Sequence, residues 1–356
     1  MFLTTAGFLP PGQDFSKTVL SLLEQQVAGY YEPETETLHI VERQGSMPAF
    51  IERMVLAHEL THALDDQYGD LRSLTGRTDR TEDMDLVVTS LAEGSATALM
   101  LQHMVREQAA GRVDAGQLMQ YVAQEMERAK VFEQLPRYFS AMFGSYIVGA
   151  AFLAGGDVGA VLTMPDNRLI GERFLTARRM LPASSEQLLH PEKYWNAGKK
   201  DAPVIVDDAA VEKWLGGPGR WVVHRDTIGE LLTAVLTQPR DAAPGLAQLQ
   251  AVAAWTNGGA SGWGGDRFFL LAGGSTAAEA QRSLKDPKGV WVTTWDTRAD
   301  RDEFGVALVK GSPPAGYSLA PVGDTGAIVF VGFDKTERDS LLARLPDFKQ
   351  FLVQHR

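Results

Sequence analysis

The run Ala57-His58-Glu59-Leu60-Thr61-His62-Ala63-Leu64 constrains this chain more than any other feature. Phe50, Met54, Val55, Leu56, Leu60, Ala63 and Leu64 recur around it at helical intervals and predict a helix from Met47-Pro48 to about Tyr68. Residues four apart stand one turn above the other on a helix face. His58 and His62 therefore aim two imidazoles at one point, where a borderline-soft cation such as zinc is held. Glu59 leans to the same side but is offset, so it reaches a water on that cation rather than the cation itself. Two unpaired imidazoles and a carboxylate would be costly to bury in an apolar segment. The plainer alternative is a pair of core histidines satisfied by ordinary hydrogen bonds.

A catalytic zinc takes three protein ligands and keeps one position open. The next predicted helix, from about Asp83 to Ala110 and ended by Gly111, carries Leu91-Ala92-Glu93-Gly94-Ser95-Ala96-Thr97. Glu93 is a carboxylate on an otherwise apolar stretch (Leu86, Val87, Leu91, Ala96, Leu99, Met100), and Gly94 and Ala96 let that helix approach closely. It is the candidate third ligand, with a solvent-facing glutamate as the alternative and His103 as a spare. A metal-bound histidine donates its other N–H to a carboxylate or carbonyl. Asp66, four residues after His62, shares its face and is the candidate partner; Asp65 is the alternative.

With 356 residues, at ~100–200 per domain, two domains are expected, 1–200 and 201–356, meeting near Asn196-Ala197-Gly198-Lys199-Lys200-Asp201-Ala202-Pro203. A net charge of −11 without a basic patch excludes nucleic acid as a partner. The absence of cysteine excludes thiolate nucleophiles, disulfide scaffolds and Cys-ligated metals. The N-terminal MFLTTAGFLPPGQDF lacks the basic and long apolar regions of a signal peptide. Tyr138 to Gly156 is free of charge and near membrane-spanning length, but its serines, tyrosine and glycines read as a buried core helix, so no membrane span is expected.

Asp14 or Ser16 caps a first helix bearing Val19, Leu20, Leu22, Leu23 and Val27; Gly29 to Val41 reads as a hairpin whose second strand, Thr37–Val41, could pair with an extended peptide. Asp114 opens a further helix. Beyond the linker, helices are expected at 226–238, 243–256, 299–310 and 335–350. Strands are expected at 266–272, 289–296, 316–322 and 326–332, with Gly323-Asp324-Thr325-Gly326 as a hairpin turn. Gly262-Trp263-Gly264-Gly265-Asp266-Arg267 and the Trp291 and Trp295 segment read as packing surfaces. The fold class is α+β: a mainly helical half with a small sheet, then an α+β C-terminal half.

His58-Glu59-x-x-His62 with Glu93 on a separate helix resembles the gluzincin, thermolysin-like zinc metallopeptidases. From Gly29-Tyr30-Tyr31-x-Pro33 to Leu189-His190-Pro191-Glu192-Lys193-Tyr194, about residues 25–200, the chain is similar to small bacterial "minimal gluzincin" proteins. The resemblance implies a zincin-like catalytic domain and one Zn2+ per chain held by His58, His62 and Glu93. It also implies Glu59 as general base and a peptide or protein substrate. Thr97 stands where thermolysin-like enzymes carry an acid, and the exopeptidase signature Gly-x-Met-Glu-Asn is absent, which favours an endopeptidase. The shared segment supplies His190, or Tyr194, as donor to the developing oxyanion. By analogy with related proteases the location leans extracytoplasmic if a leader has been removed, and is cytoplasmic otherwise. A catalytically silent zincin-fold scaffold and a zinc hydrolase of a non-peptide amide or ester are the other readings.

Overall fold

The computed structural model describes residues 1–26, 29–41, 48–76, 80–114, 116–121, 123–124, 135–239, 255–311 and 313–353. Helices α1 (Phe2–Thr5) and α2 (Phe15–Gln26) come first; the Asp14 carboxylate caps α2 by accepting from the Lys17 N–H at 3.0 Å. The hairpin β1 (Gly29–Glu32) and β2 (Thr37–Ile40) follows, then α3 (Ala49–Gly69), α4 (Leu71–Thr75) and the long α5 (Glu82–Ala109). Thr81 caps α5 through the Met84 N–H. The first half closes with α6 (Arg137–Ala154), α7 (Val158–Thr163), α8 (Arg168–Arg179), α9 (Ser185–Leu189) and α10 (Glu192–Trp195). Val27, most of the 243–256 helix and much of the one opened by Asp114 lie outside the described residues.

Helix α5 is the axis of this half, packed between α3 and α6. Its crossing with α6 is made by glycines. A Cβ on Gly94 would lie 2.3 Å from the Gly149 carbonyl carbon, and one on Gly149 would lie 1.7 Å from the Ser90 carbonyl oxygen. The close approach expected at Gly94 is therefore backbone against backbone. Helix α6, without charge after Arg137, is a core helix, with Phe139, Val148, Phe152 and Leu153 fully buried. Among the described residues one helix, α5, has the length and hydropathy to cross a membrane, and it lies in this core.

The second half begins with α11 (Asp208–Leu215) and builds one antiparallel sheet in the order β3 (Arg220–Asp226), β4 (Trp263–Gly273), β5 (Lys285–Trp295), β7 (Gly326–Val331), β6 (Tyr317–Val322). Alternate residues of a strand face opposite sides. In β4, Phe268, Leu270 and Ala272 face one apolar cluster and Phe269 and Leu271 another. Both faces are covered, so the strand reads as a continuous apolar run rather than an alternating one. Strand β3 was not expected from sequence: Trp221, His224 and Arg225 leave it mostly exposed at the sheet edge. The remaining helices are α12 (Gly229–Thr237), α13 (Ala277–Ser283), α14 (Arg298–Lys310) and α15 (Lys335–Ala343). The expected C-terminal helix stops at Ala343 and a 3-10 turn, Phe348–Phe351, replaces its end.

The larger apolar core crosses residue 200, and a second cluster, from Val206 to Phe351, lies wholly beyond it. The larger one runs from Phe2 and Leu91 through Leu188, Ile228 and Leu231 to Phe268 and Trp291. At its heart two carboxyls meet. Asp83 accepts from the Ser185 N–H, and Asp266 accepts from the Ile228 and Gly229 N–H groups and the Trp263 indole. A Cβ on Gly229, at φ +75°, would lie 1.8 Å from Asp83 Oδ1, so only glycine lets the two segments meet. Burial pushes Asp83 up to about 8 and Asp266 up to about 6, against the bonds just named, which favour the charged carboxylates.

A raised carboxyl keeps its proton in the folded state after losing it in the unfolded one. Its contribution to stability therefore falls as pH rises from the ordinary carboxyl range toward 8. In urea unfolding, the stability of wild type minus that of Asp83→Asn is expected to fall from pH 5 to pH 8, by up to about 1.4 kcal/mol per pH unit. A difference that does not change with pH would show that Asp83 is ionised throughout.

Candidate metal centre

Helix α3 carries its polar residues inward. His58, Glu59, Thr61, His62 and Asp65 are 6–9% exposed, whereas Leu56, Leu60 and Leu64 are 38%, 47% and 48% exposed. The apolar periodicity located the helix but not its buried face, which is polar beyond Phe50 and Ile51. A buried polar face is stable only where its groups find partners: the histidines find Glu93 of α5, Glu59 the Tyr31 N–H of β1, and Thr61 the Ala57 carbonyl of its own helix.

Glu93, on α5, meets both histidines. Its Oε2 lies 3.2 Å from His58 Nε2 and 3.5 Å from His62 Nε2, and the two Nε2 atoms are 3.2 Å apart. Three donor atoms thus form a nearly equilateral triangle. A tetrahedral ion with bonds of about 2.0–2.1 Å has donor–donor edges of about 3.3–3.4 Å. Two imidazole nitrogens and one carboxylate oxygen at this spacing could hold a small divalent ion by one tetrahedral face, leaving the fourth vertex free. Burial raises the Glu93 carboxyl, but the hydrogen bonds and charges of the imidazoles outweigh it and hold it down at about 2. Burial lowers His62, and Glu93 again outweighs it, so the imidazole is raised. Glu59 is raised by burial against the pull of both histidines and an N–H bond from Tyr31. The groups are electrostatically one unit.

Helix α6 adds a residue that the sequence did not single out. The Tyr146 ring lies nearly parallel to that of His58, 6.0 Å between centroids and 16° between planes, and burial and the nearby Glu93 and Glu59 carboxylates raise its hydroxyl. The Gly94–Gly149 crossing explains this: Glu93 precedes one glycine, and Tyr146 stands about one turn before the other. The available signal was a tyrosine hydroxyl in a core helix without charge after Arg137, where it needs a partner.

Residues 220–311, from β3 to the end of α14, match a family described as a domain of unknown function (DUF8575). No curated protein and no solved structure matches the chain. The matched segment excludes His58, Glu59, His62 and Glu93, so the centre rests on its own geometry.

The other expected site residues lie in different company. Asp66 is not the partner of a histidine: it accepts from the Tyr31 hydroxyl at 2.9 Å and from the Arg72 N–H at 3.2 Å. Asp65 is the buried acid of that turn. Burial raises it to about 7 against the pull of Ser95 and His62, and its Oδ2 and the His62 Nδ1 are both buried without a partner. His190 is not joined to the cluster. Its Nε2 bonds Glu230 of α12 at 3.0 Å, and Glu230 also accepts from Thr256. The Tyr194 hydroxyl is taken by the Met180 carbonyl. Both hairpin strands touch α3, β1 the more extensively, and it is the Tyr31 N–H of β1 that reaches Glu59. His103 has no part in the triangle, and its Nε2 is buried without a partner. A second convergence of acids, Glu186, Asp201 and Asp296, is already filled by the Lys193 ammonium at 2.6, 2.9 and 3.4 Å.

Proposed function

We propose that this chain is a zinc-dependent peptidase, an endopeptidase of gluzincin type, with a zincin-like arrangement of β1, α3, α5 and α6. His58, His62 and Glu93 hold the metal and Glu59 is the general base. The observation that carries the reading is the donor triangle of 3.2, 3.2 and 3.5 Å with a carboxylate base on the same helix. Bound zinc supplies a Lewis acid that makes water nucleophilic near neutral pH and polarises a carbonyl.

The chain's residues do the rest. Glu59 takes the proton of the attacking water and delivers it to the leaving amine, and its raised affinity for protons suits it to hold one between those steps. Tyr146 orients His58 by stacking. It replaces His190 and Tyr194 as the donor assigned to the developing oxyanion. Held well above its usual value by burial and the nearby carboxylates, the Tyr146 hydroxyl stays protonated and able to donate.

The test is cleavage of a peptide library by zinc-loaded protein, read by mass spectrometry, with chelator-treated protein beside it. Internal cuts that vanish with the metal and return on adding zinc are expected. Zinc binding with no cleavage would favour a silent scaffold or a non-peptide hydrolase, and failure to bind zinc would end the reading.

A further inference from the structure

Tyr31 touches α3 twice. Its backbone N–H donates to Glu59 Oε2 at 3.0 Å, and its hydroxyl donates to Asp66 Oδ2 at 2.9 Å. Glu59 and Asp66 are seven residues apart, two turns or about 10 Å along one helix face. The side chain of Tyr31 therefore lies along the metal helix while its main chain caps the carboxylate. In the hairpin register Tyr31 stands opposite Leu38, yet its N–H is directed to Glu59. The hairpin is short, four residues in each strand, and an isolated two-stranded ribbon is marginal in water. Something other than β-pairing must hold β1 in place. The Asp66 bond does so, assisted by Gly29, where an added Cβ would stand 3.4 Å from Val55 of α3.

We infer that Tyr31 is a positioning residue for Glu59: its hydroxyl anchors β1 to Asp66 so that its N–H fixes one carboxylate oxygen of the base and leaves the other to take a proton. A glutamate side chain has three rotatable bonds, and a fixed donor on one oxygen removes most of that freedom before substrate arrives. Asp66, expected beside a histidine, serves the base instead.

The inference rests on the peptidase reading, and two measurements keep their failures apart. In zinc-loaded protein, Tyr31→Phe and Asp66→Ala are each expected to lower kcat about tenfold, with KM and zinc affinity within about twofold of wild type. The double variant should be no slower than the slower single one, because both remove the same bond; Asp66→Ala also frees the Arg72 N–H, so this non-additivity isolates the tyrosine contact. Amide hydrogen exchange at Tyr31 reads the strut without any substrate, and should be about tenfold faster in Tyr31→Phe than in wild type. Unchanged exchange, single variants with wild-type kcat, or effects that multiply would overturn it. A wild type that cleaves nothing would overturn the peptidase reading, and exchange would still decide the strut.

Discussion

Glu59→Gln is expected to bind one zinc per chain and to hydrolyse peptides about 10²–10⁴ times more slowly than wild type. The amide keeps the size of the carboxylate, and its carbonyl oxygen can still accept the Tyr31 N–H, so the cleft should keep its shape. What it loses is the ability to take a proton. Because Glu59 stands beside the donor triangle and not in it, zinc affinity should change little; Glu93→Ala, which removes one corner, should lose the metal. The pair separates base from ligand. Metal content by atomic emission and kcat/KM on a peptide found in the library screen are the readouts. Full activity in Glu59→Gln would exclude the assigned mechanism, and metal loss in that variant would make Glu59 a ligand.

The second large effect lies at the helix crossing. Gly149→Ala sets a methyl 1.7 Å from the Ser90 carbonyl oxygen, a main-chain atom that cannot rotate aside, so α5 and α6 must separate. Overpacking a close-packed core costs about 1–3 kcal/mol and more where backbone must move. About 3 kcal/mol and a fall in Tm of about 5 °C or more are expected by calorimetry. The same change at Gly171 of α8, where an added methyl meets nothing within 4 Å, should instead stabilise by up to about 1 kcal/mol through helix propensity. Separation at Gly149 also draws Tyr146 away from His58 and Glu93, so activity should fall more than zinc affinity. A Gly149→Ala variant as stable as wild type would mean that the helices do not meet there.

The hairpin, the long helices and the last two strands were readable because each depends on its own local pattern: a turn residue, a cap, a period. The same holds for His58, Glu59 and His62, whose mutual placement is decided by a single helix. Glu93 was within reach because its small neighbours announced a close helix contact, although sequence could not say that the contact was with Gly149. Asp66 and His190 were misjudged for a common reason. Each was assigned the nearest partner along the chain or in a similar motif, while its hydrogen bond goes to an element 35 or 40 residues away, Tyr31 or Glu230. Strand β3 was missed because a bulge between Val222 and His224 breaks its alternation, and Trp221, His224 and Arg225 are exposed at the sheet edge.

Sequence by itself determined which side chains could share a metal, since the rise and twist of one helix bring residues four apart together whatever surrounds it. It did not determine which way that helix faces. The tertiary structure turns the histidines inward and leaves Leu56, Leu60 and Leu64 exposed. It also supplied Tyr146 to the cluster and Tyr31 to the base. Those outcomes depend on where α5 crosses α6 and where β1 lies on α3, and crossing points are set by backbone approach between distant segments, which no local period encodes.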